Sequence, residues 1–179
     1  MNALLLIVVL IFSVVVHEVA HAWQARREGD DTAEKMGRIT LNPMPHLDLM
    51  GSLIVPALLY FSGTGFLFGW AKPVPVNPAN YRDYVAGDIR VSMAGIVSNL
   101  GLAVLATLLA AVLVKAGSLF GPLGGIVGPA VYALDYAIFI NLILAFFNLI
   151  PIPPLDGSHV VAHLLPPRFA LRYRLFGQY

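Results

Sequence analysis

Three long apolar runs constrain this chain more than any other feature of its sequence. Residues 3–16 are apolar apart from Ser13, the apolar character continues to Trp23, and residues 91–114 and 130–150 form two further runs. A helix needs about 20 apolar residues to cross the hydrocarbon core of a bilayer. With 58% hydrophobic residues, 12% charged residues and a mean hydropathy of +0.78, the chain differs strongly from soluble domains. We therefore predict an all-α polytopic membrane protein with three core transmembrane helices.

Three other segments connect these runs. Residues 51–70 are apolar, but a proline and several glycines interrupt them, so we expect a re-entrant or short helical segment that returns to its side of entry. Residues 38–42 and 72–77 contain Thr or Pro and have polar neighbours, and both are candidates for short edge strands. The Gly- and Pro-rich residues 117–129 predict a turn between the second and third runs.

Composition excludes several classes of function. The net charge is only +1 and no long basic run occurs, so the chain lacks the basic footprint of a protein that binds nucleic acid. It has no cysteine, which rules out a disulfide framework and a thiolate metal site. Any zinc would have to be held by histidine and carboxylate side chains. Because no internal repeat divides the sequence, we expect residues 1–179 to form a single domain.

The sharpest local pattern is His17-Glu18-Val19-Ala20-His21, near the end of the first apolar run. Residues four apart lie one helical turn apart, so both imidazoles can point at one ion, with Glu18 beside it. Each ionisable side chain within a span costs roughly 2.5 to 3.5 kcal/mol, which favours a compensating partner such as a metal ion. The alternative is a set of polar residues that snorkel at a helix end. The pattern predicts a zinc site with Glu18 as general base.

A catalytic zinc site needs a third protein ligand and keeps a fourth position for water. Asp156 is the first candidate, because prolines before it free the backbone and the glycine after it permits a close approach. His46 and Asp48 are competing candidates, although they also fit a polar turn before the interrupted segment. His159 and His163 are spaced four apart and could form a second metal site, but we expect them to line a short interfacial helix.

Three motifs together resemble the site-2 protease family of intramembrane metalloproteases. They are HEVAH in the first run, GWAKPVPVNP at residues 69–78 and NLIPIPPLDG at residues 148–157, and they bracket nearly the whole chain. The resemblance implies one zinc ion per chain, the general base Glu18, a substrate-positioning or oxyanion role for Asn148, and three zinc ligands: His17, His21 and Asp156. For Asn148 the alternative is an interhelical hydrogen bond.

Two features depart from the family pattern. Residues 93–99 lack the proline that many relatives carry after the glycine, which weakens the inference of a site role for Asn99. Relatives commonly continue into another hydrophobic segment beyond the position of residues 168–179. We therefore expect a metalloprotease domain that lacks that C-terminal segment, as a shortened form or a fragment.

The resemblance implies a protease whose partners are the lipid bilayer and a membrane-protein substrate with a transmembrane helix. Zinc would lower the pKa of water toward about 7, and Glu18 would take its proton as the water attacks the peptide carbonyl. The substrate helix must first unwind, and the edge at residues 72–77 could hold it extended. Two alternatives are a membrane metal transporter and a non-catalytic zinc-binding scaffold, neither of which needs a carboxylate at Glu18.

The distribution of charge predicts the topology. We expect three crossings of a prokaryotic plasma membrane, with the amino terminus outside and the active site nearer the cytoplasmic face. Lys and Arg are enriched in cytoplasmic segments, and three groups fit that side: Arg26, Arg27, Lys35 and Arg38; Lys72, Arg82 and Arg90; and Arg168, Arg172 and Arg174.

Overall fold

A computed structural model describes residues 3–63, 69–120 and 124–176. Its α-helices are α1 (Ala3–Glu28), α2 (Thr32–Lys35), α3 (Val55–Phe61), α4 (Tyr84–Phe120), α5 (Gly124–Asn148), α6 (Asp156–Leu164) and α7 (Pro167–Phe176). Short 3-10 turns at Met44–His46 and Pro78–Asn80 and a π-helical turn at Leu49–Ile54 complete the regular structure of the described residues.

Within the described residues, three helices are long and apolar enough to cross a membrane, over Leu5–Glu28, Tyr84–Gly117 and Val127–Asn148. They correspond to the three predicted runs, so the prediction of an all-α polytopic membrane protein is confirmed. Helix α4 packs against both α1 and α5. The outer faces expose many large apolar side chains, such as Phe12 and Phe139. So much exposed apolar surface is typical of a membrane-spanning bundle.

The turn predicted at residues 117–129 is wrong in extent. Helix α4 continues to Phe120 and α5 already begins at Gly124, with Pro129 inside the helix. In an apolar environment the backbone polar groups must be satisfied within the segment, which favours helix even where glycine and proline are frequent. The connection between α4 and α5 is therefore much shorter than the composition indicates.

The interrupted apolar segment at residues 51–70 returns to its starting point. The Trp70 amide donates to the Gly51 carbonyl over 3.1 Å, and the Ser52 hydroxyl donates to the Trp70 carbonyl over 2.9 Å. An added Cβ on Gly51 would overlap the Trp70 ring, so glycine is needed for this close approach. The segment contains α3, which is too short to span, and residues 64–68 lie outside the described residues. The contact of its two ends agrees with the predicted re-entrant or short helical segment.

The prediction of short edge strands is wrong for the residues that the structure describes. Residues 39–41 form bends, and residues 38, 42 and 72–77 have no regular secondary structure. We call residues 72–77 the strap. Pro73 and Pro75 lack the N–H groups that a strand ladder needs. Side chains bind the strap's backbone where a neighbouring strand would otherwise do so.

Three side chains hold the strap. The Arg38 guanidinium donates to the carbonyls of Lys72 and Pro73 over 2.8 and 3.3 Å. The Glu18 carboxylate accepts from the Val74 amide over 2.8 Å. The Asp30 carboxylate accepts from the Asn77 amide over 2.7 Å. The strap is thus fixed to Glu18 of α1 and to residues that follow this helix.

Candidate metal centre

Three potential ligand atoms from two helices converge beside the second half of α1. His17 Nε2 lies 3.0 Å from His21 Nε2, and Asp156 Oδ2 lies 3.2 Å from the former and 3.3 Å from the latter. Among the residues that the structure describes, these three form the only group of His and acidic side chains arranged to hold a metal ion. The residues predicted from the sequence as ligands are thus brought together.

Local structure explains why these side chains meet. His17 and His21 lie one turn apart on α1, so their rings share a face of the helix. Asp156 is the first residue of α6, where the chain reverses after the prolines that follow α5. The next residue, Gly157, is buried, and an added Cβ would lie closer than 3.0 Å to the Leu149 carbonyl oxygen. The glycine therefore permits the close approach that places Asp156 against α1.

The outer nitrogen of each imidazole fixes its tautomer. His21 Nδ1 lies 2.7 Å from the Val91 carbonyl oxygen, which can only accept, so this nitrogen carries the proton. His17 Nδ1 lies 2.6 Å from Asn99 Oδ1 and donates to it in the same way. Both Nε2 atoms consequently direct their lone pairs inward. Partners of this kind orient metal-binding histidines in proteins.

The inner atoms have the chemistry of a cation site. Two imidazole lone pairs face a carboxylate, and Asp156 Oδ2 is buried without a hydrogen-bond partner. Such a set of acceptors in apolar surroundings is costly unless a cation balances it. Two histidines and one carboxylate are also a known donor set for catalytic zinc, with a fourth position left for water. The residues present therefore fit a zinc ion.

Glu18 lies between the two histidines in sequence and is half-buried. Its Oε2 accepts the hydrogen bond from the Val74 amide in the strap. Because the strap is itself fixed by Arg38 and Asp30, this contact restricts the position of the carboxylate. The Glu18 carboxylate is thus held against the strap, one residue along α1 from His17.

The other sequence candidates lie outside this group. His46 is buried and its Nε2 donates to the Thr40 carbonyl over 2.9 Å. Asp48 caps the π-helical turn by accepting from the Gly51 amide. These contacts match the polar turn that was the alternative interpretation of both residues.

The second histidine pair lies on α6, the short helix expected there. Its residues contact Asp88 rather than forming a metal site within the described residues. Asn148 donates its side-chain amide to the Leu144 carbonyl over 2.9 Å, within its own helix. Its proposed role toward a substrate stays a prediction.

Sequence analysis missed three residues around the histidines. Gly95 of α4 lies directly against both imidazole rings, and an added Cβ would overlap them. Ser13 and Asn141 are almost fully buried, at 1% and 2% exposure, and connect through Asn99 to His17. The available signal was an asparagine near the middle of an apolar run, since intramembrane polar residues usually have a partner or a function.

Comparison with known proteins adds to this geometry. A family model described as peptidase family M50 matches residues 5–172. The chain is 40% identical over 166 residues to "Putative zinc metalloprotease YwhC" of Bacillus subtilis (strain 168), covering 90% of this chain and 69% of that protein. It is 35% identical over 173 residues to "Putative zinc metalloprotease Rip2" of Mycobacterium tuberculosis (strain ATCC 35801 / TMC 107 / Erdman).

That second alignment covers 91% of this chain and 62% of Rip2. The chain thus spans about two thirds of the length of these relatives. No solved structure matches it significantly.

Proposed function

The chain belongs to peptidase family M50, the family of the site-2 proteases, and we propose that it is an intramembrane zinc metalloprotease. It would hydrolyse peptide bonds within or near the transmembrane segments of membrane-protein substrates. The observation that carries this proposal is the convergence of His17 Nε2, His21 Nε2 and Asp156 Oδ2 within 4.8 Å of one another. These atoms lie in a protein whose three long helices are apolar enough to span a bilayer.

His17, His21 and Asp156 would hold one zinc ion through the three converging atoms. Their tautomers and burial support this assignment, because both Nε2 lone pairs and the carboxylate point to one place. When bound, zinc polarises the substrate carbonyl and lowers the pKa of water toward about 7. The donor set leaves room for this chemistry since only three ligands come from the protein.

Glu18 would act as the general base and then as the general acid. Its carboxylate takes a proton from the attacking water, whose oxygen bonds to the carbonyl carbon. It returns that proton to the amide nitrogen as the carbon–nitrogen bond breaks, so an acid and an amine leave the site. The Val74 amide binds Oε2, so the carboxylate is held in place while its other oxygen can exchange the proton.

The strap would bind the unwound substrate. It has no regular secondary structure and lies against the general base through Val74. The Lys72 and Pro73 carbonyls are already bound by Arg38, so an added peptide could form only part of a ladder with it. Asn148, at the end of α5, would position the substrate or stabilise the oxyanion. Asn148→Ala is then expected to lower kcat while zinc stays bound.

The test uses the purified full chain in detergent with single-span membrane proteins as substrates. Cleavage that a chelator abolishes and added zinc restores is the expected result. Glu18→Gln should keep stoichiometric zinc and form no product, because the amide retains the size of the side chain but cannot accept the proton. Asp156→Ala should instead lose zinc, since it removes one of the three ligands.

Glu34→Gln provides the matched control. Glu34 is an exposed carboxylate on α2 that pairs with Arg26, so its amide variant should cleave at the parental rate. Parental activity in Glu18→Gln would show that this residue is not the base and would refute the mechanism.

A further inference from the structure

Three polar side chains link the three long helices at the level of His17. Ser13 of α1, Asn99 of α4 and Asn141 of α5 are 1%, 0% and 2% exposed. Asn99 Nδ2 donates to Asn141 Oδ1 over 2.7 Å and to the Ser13 carbonyl over 3.3 Å. Asn141 Nδ2 donates to the Ser13 hydroxyl over 2.9 Å. Because buried polar groups in a membrane find no water, each depends on these partners.

Backbone carbonyls fix the direction of every bond in this set. Asn141 Nδ2 also faces the Ala137 carbonyl over 2.8 Å, and a carbonyl can only accept, so the Asn141 amide has one permitted orientation. Ser13 donates its hydroxyl hydrogen to the Val9 carbonyl over 2.9 Å, which leaves its oxygen to accept from Asn141. The Asn141 side-chain oxygen must therefore point at Asn99.

These fixed hydrogen-bond directions extend to the metal centre. Since Asn141 and the Ser13 carbonyl both accept, Asn99 must present its nitrogen to them and its oxygen to His17. That oxygen accepts from His17 Nδ1 over 2.6 Å, which forces the proton onto Nδ1 and keeps the Nε2 lone pair inward. The contact with Asn141 is the shorter of the two that orient Asn99, at 2.7 against 3.3 Å.

We infer that Asn141 is a positioning residue for the metal centre, which acts through Asn99 to hold His17 in its metal-binding tautomer. This inference rests on the proposed role of His17 as a zinc ligand. It assigns a function to a residue on α5 that contacts none of the three converging ligand atoms. Partners of metal-binding histidines typically change metal affinity by about 10- to 100-fold when they are removed.

The test measures zinc affinity by chelator competition, and the absorption spectrum of bound cobalt, in the purified full chain. Asn141→Leu keeps the size of the side chain and suits an apolar helix, but it offers no acceptor to Asn99. We expect it to weaken zinc binding about tenfold, at the lower end of that range, and to alter the cobalt spectrum. Asn141→Asp, as the neutral acid, keeps an oxygen facing Asn99 and directs its hydroxyl at the Ala137 carbonyl in a group of the same shape, and it should recover most of the affinity.

A double-mutant cycle separates this role from general packing. Asn99→Ala should weaken zinc binding more than Asn141→Leu, and the double variant should bind zinc no more weakly than Asn99→Ala alone, because Asn141 acts only through Asn99. Ile96→Ala is the control. Ile96 is fully buried on α4, so this variant should lower thermal stability without changing zinc affinity or the cobalt spectrum.

Parental zinc affinity in Asn141→Leu would overturn the inference, as would losses that multiply in the double variant. A parental chain that binds no zinc would overturn the proposed function and this inference together. The two failures are therefore distinguishable in one set of measurements.

Discussion

Gly95 marks the point where α4 comes closest to the histidines of α1. An added Cβ would lie closer than 3.0 Å to ring atoms of both His17 and His21. These atoms belong to rings held on their outer sides by Asn99 and Val91, so they cannot move away without losing those hydrogen bonds. The absence of a side chain at Gly95 thus allows the two helices to enclose the site.

We predict that Gly95→Ala weakens zinc binding by at least tenfold, because the methyl group displaces the ligands by more than a metal site tolerates. Gly101→Ala is the matched control on the same helix, since an added Cβ there has nothing within 4 Å. Gly101→Ala should retain zinc, and its free energy of unfolding should rise by up to about 1 kcal/mol because alanine has a higher helix propensity than glycine. Zinc titration and thermal unfolding of both variants test this. Equal zinc affinities would contradict it.

Helix α6 begins with Asp156, and two of its histidines contact the Asp88 carboxylate of α4. Asp88 Oδ2 accepts from His163 Nε2 over 2.7 Å and from His159 Nδ1 over 3.3 Å. The side chain of His163 is 5% exposed and that of His159 is 49% exposed. The buried contact should therefore matter more than the exposed one for the position of α6 and of Asp156.

We predict that His163→Ala lowers the free energy of unfolding by about 1–3 kcal/mol, because it leaves the buried Asp88 carboxylate without its closer partner. Zinc affinity should fall as well, since α6 carries Asp156, the proposed third ligand. His159→Ala removes the other imidazole that contacts the same Asp88 oxygen, and it should lower the free energy of unfolding by less than about 1 kcal/mol. Thermal unfolding in detergent with and without zinc compares the two. A larger effect for His159→Ala would refute this account of α6.

The strap depends on a buried carboxylate outside the spans. Burial raises the pKa of Asp30, but hydrogen bonds from the Asn77 amide, Thr32 and Asn80 together lower it by more. The net result is a pKa below the ordinary value of 3.8. When the pKa of a carboxyl group is lower in the folded than in the unfolded state, its ionised form stabilises the fold. The stabilisation is complete at pH values above the pKa of the unfolded state. This stabilisation is lost as the pH falls through the folded value.

We predict that the strap remains protected from hydrogen exchange down to about pH 4 and loosens below it, as Asp30 becomes protonated. In Asp30→Asn the strap should be less protected at neutral pH, and that part of its pH dependence should disappear. Hydrogen exchange of the peptide that contains residues 72–77, measured from pH 3 to 7, tests this. If Asp30→Asn loses protection at the same low pH as the parent, a group other than Asp30 causes that loss.

At the scale of the whole molecule, the three long helices and the position of the site predict the topology. His17 lies roughly 20 Å along α1 at about 1.5 Å per residue, in the second half of this helix, which ends at Glu28, and Asp156 follows the end of α5. Those two ends must therefore lie at the same face. With α4 and α5 as the intervening crossings, we expect the segment at residues 51–70 to contribute no further one.

We predict three crossings with the amino terminus outside. Single cysteines can be placed at Ser118, Thr32 and Asn80, since the chain has none of its own. An impermeant maleimide added to intact cells should label only the cysteine at position 118, and all three after the cells are opened. Labelling at position 80 in intact cells would refute the three-crossing topology.

The sequence alone determined the features that depend on neighbouring residues. Spanning length follows from an uninterrupted apolar run, and the approach of His17 to His21 follows from the geometry of one helical turn. The reversal before Asp156 also follows from local chemistry, because prolines end the helix and Gly157 permits the close approach. These properties need no knowledge of how the helices pack.

Only the tertiary structure decided which distant residues complete the site. Two kinds of contact join residues far apart in sequence. One is the convergence of Asp156, rather than His46 or Asp48, with the two histidines, and the other is the contacts of His17 with Asn99 and of Glu18 with Val74. Such contacts depend on how α1, α4 and α6 pack against one another. The prediction of edge strands was wrong for the same reason. Side chains from α1 and from the residues after it bind the strap's backbone, and a local sequence pattern does not show which partner a backbone polar group will have.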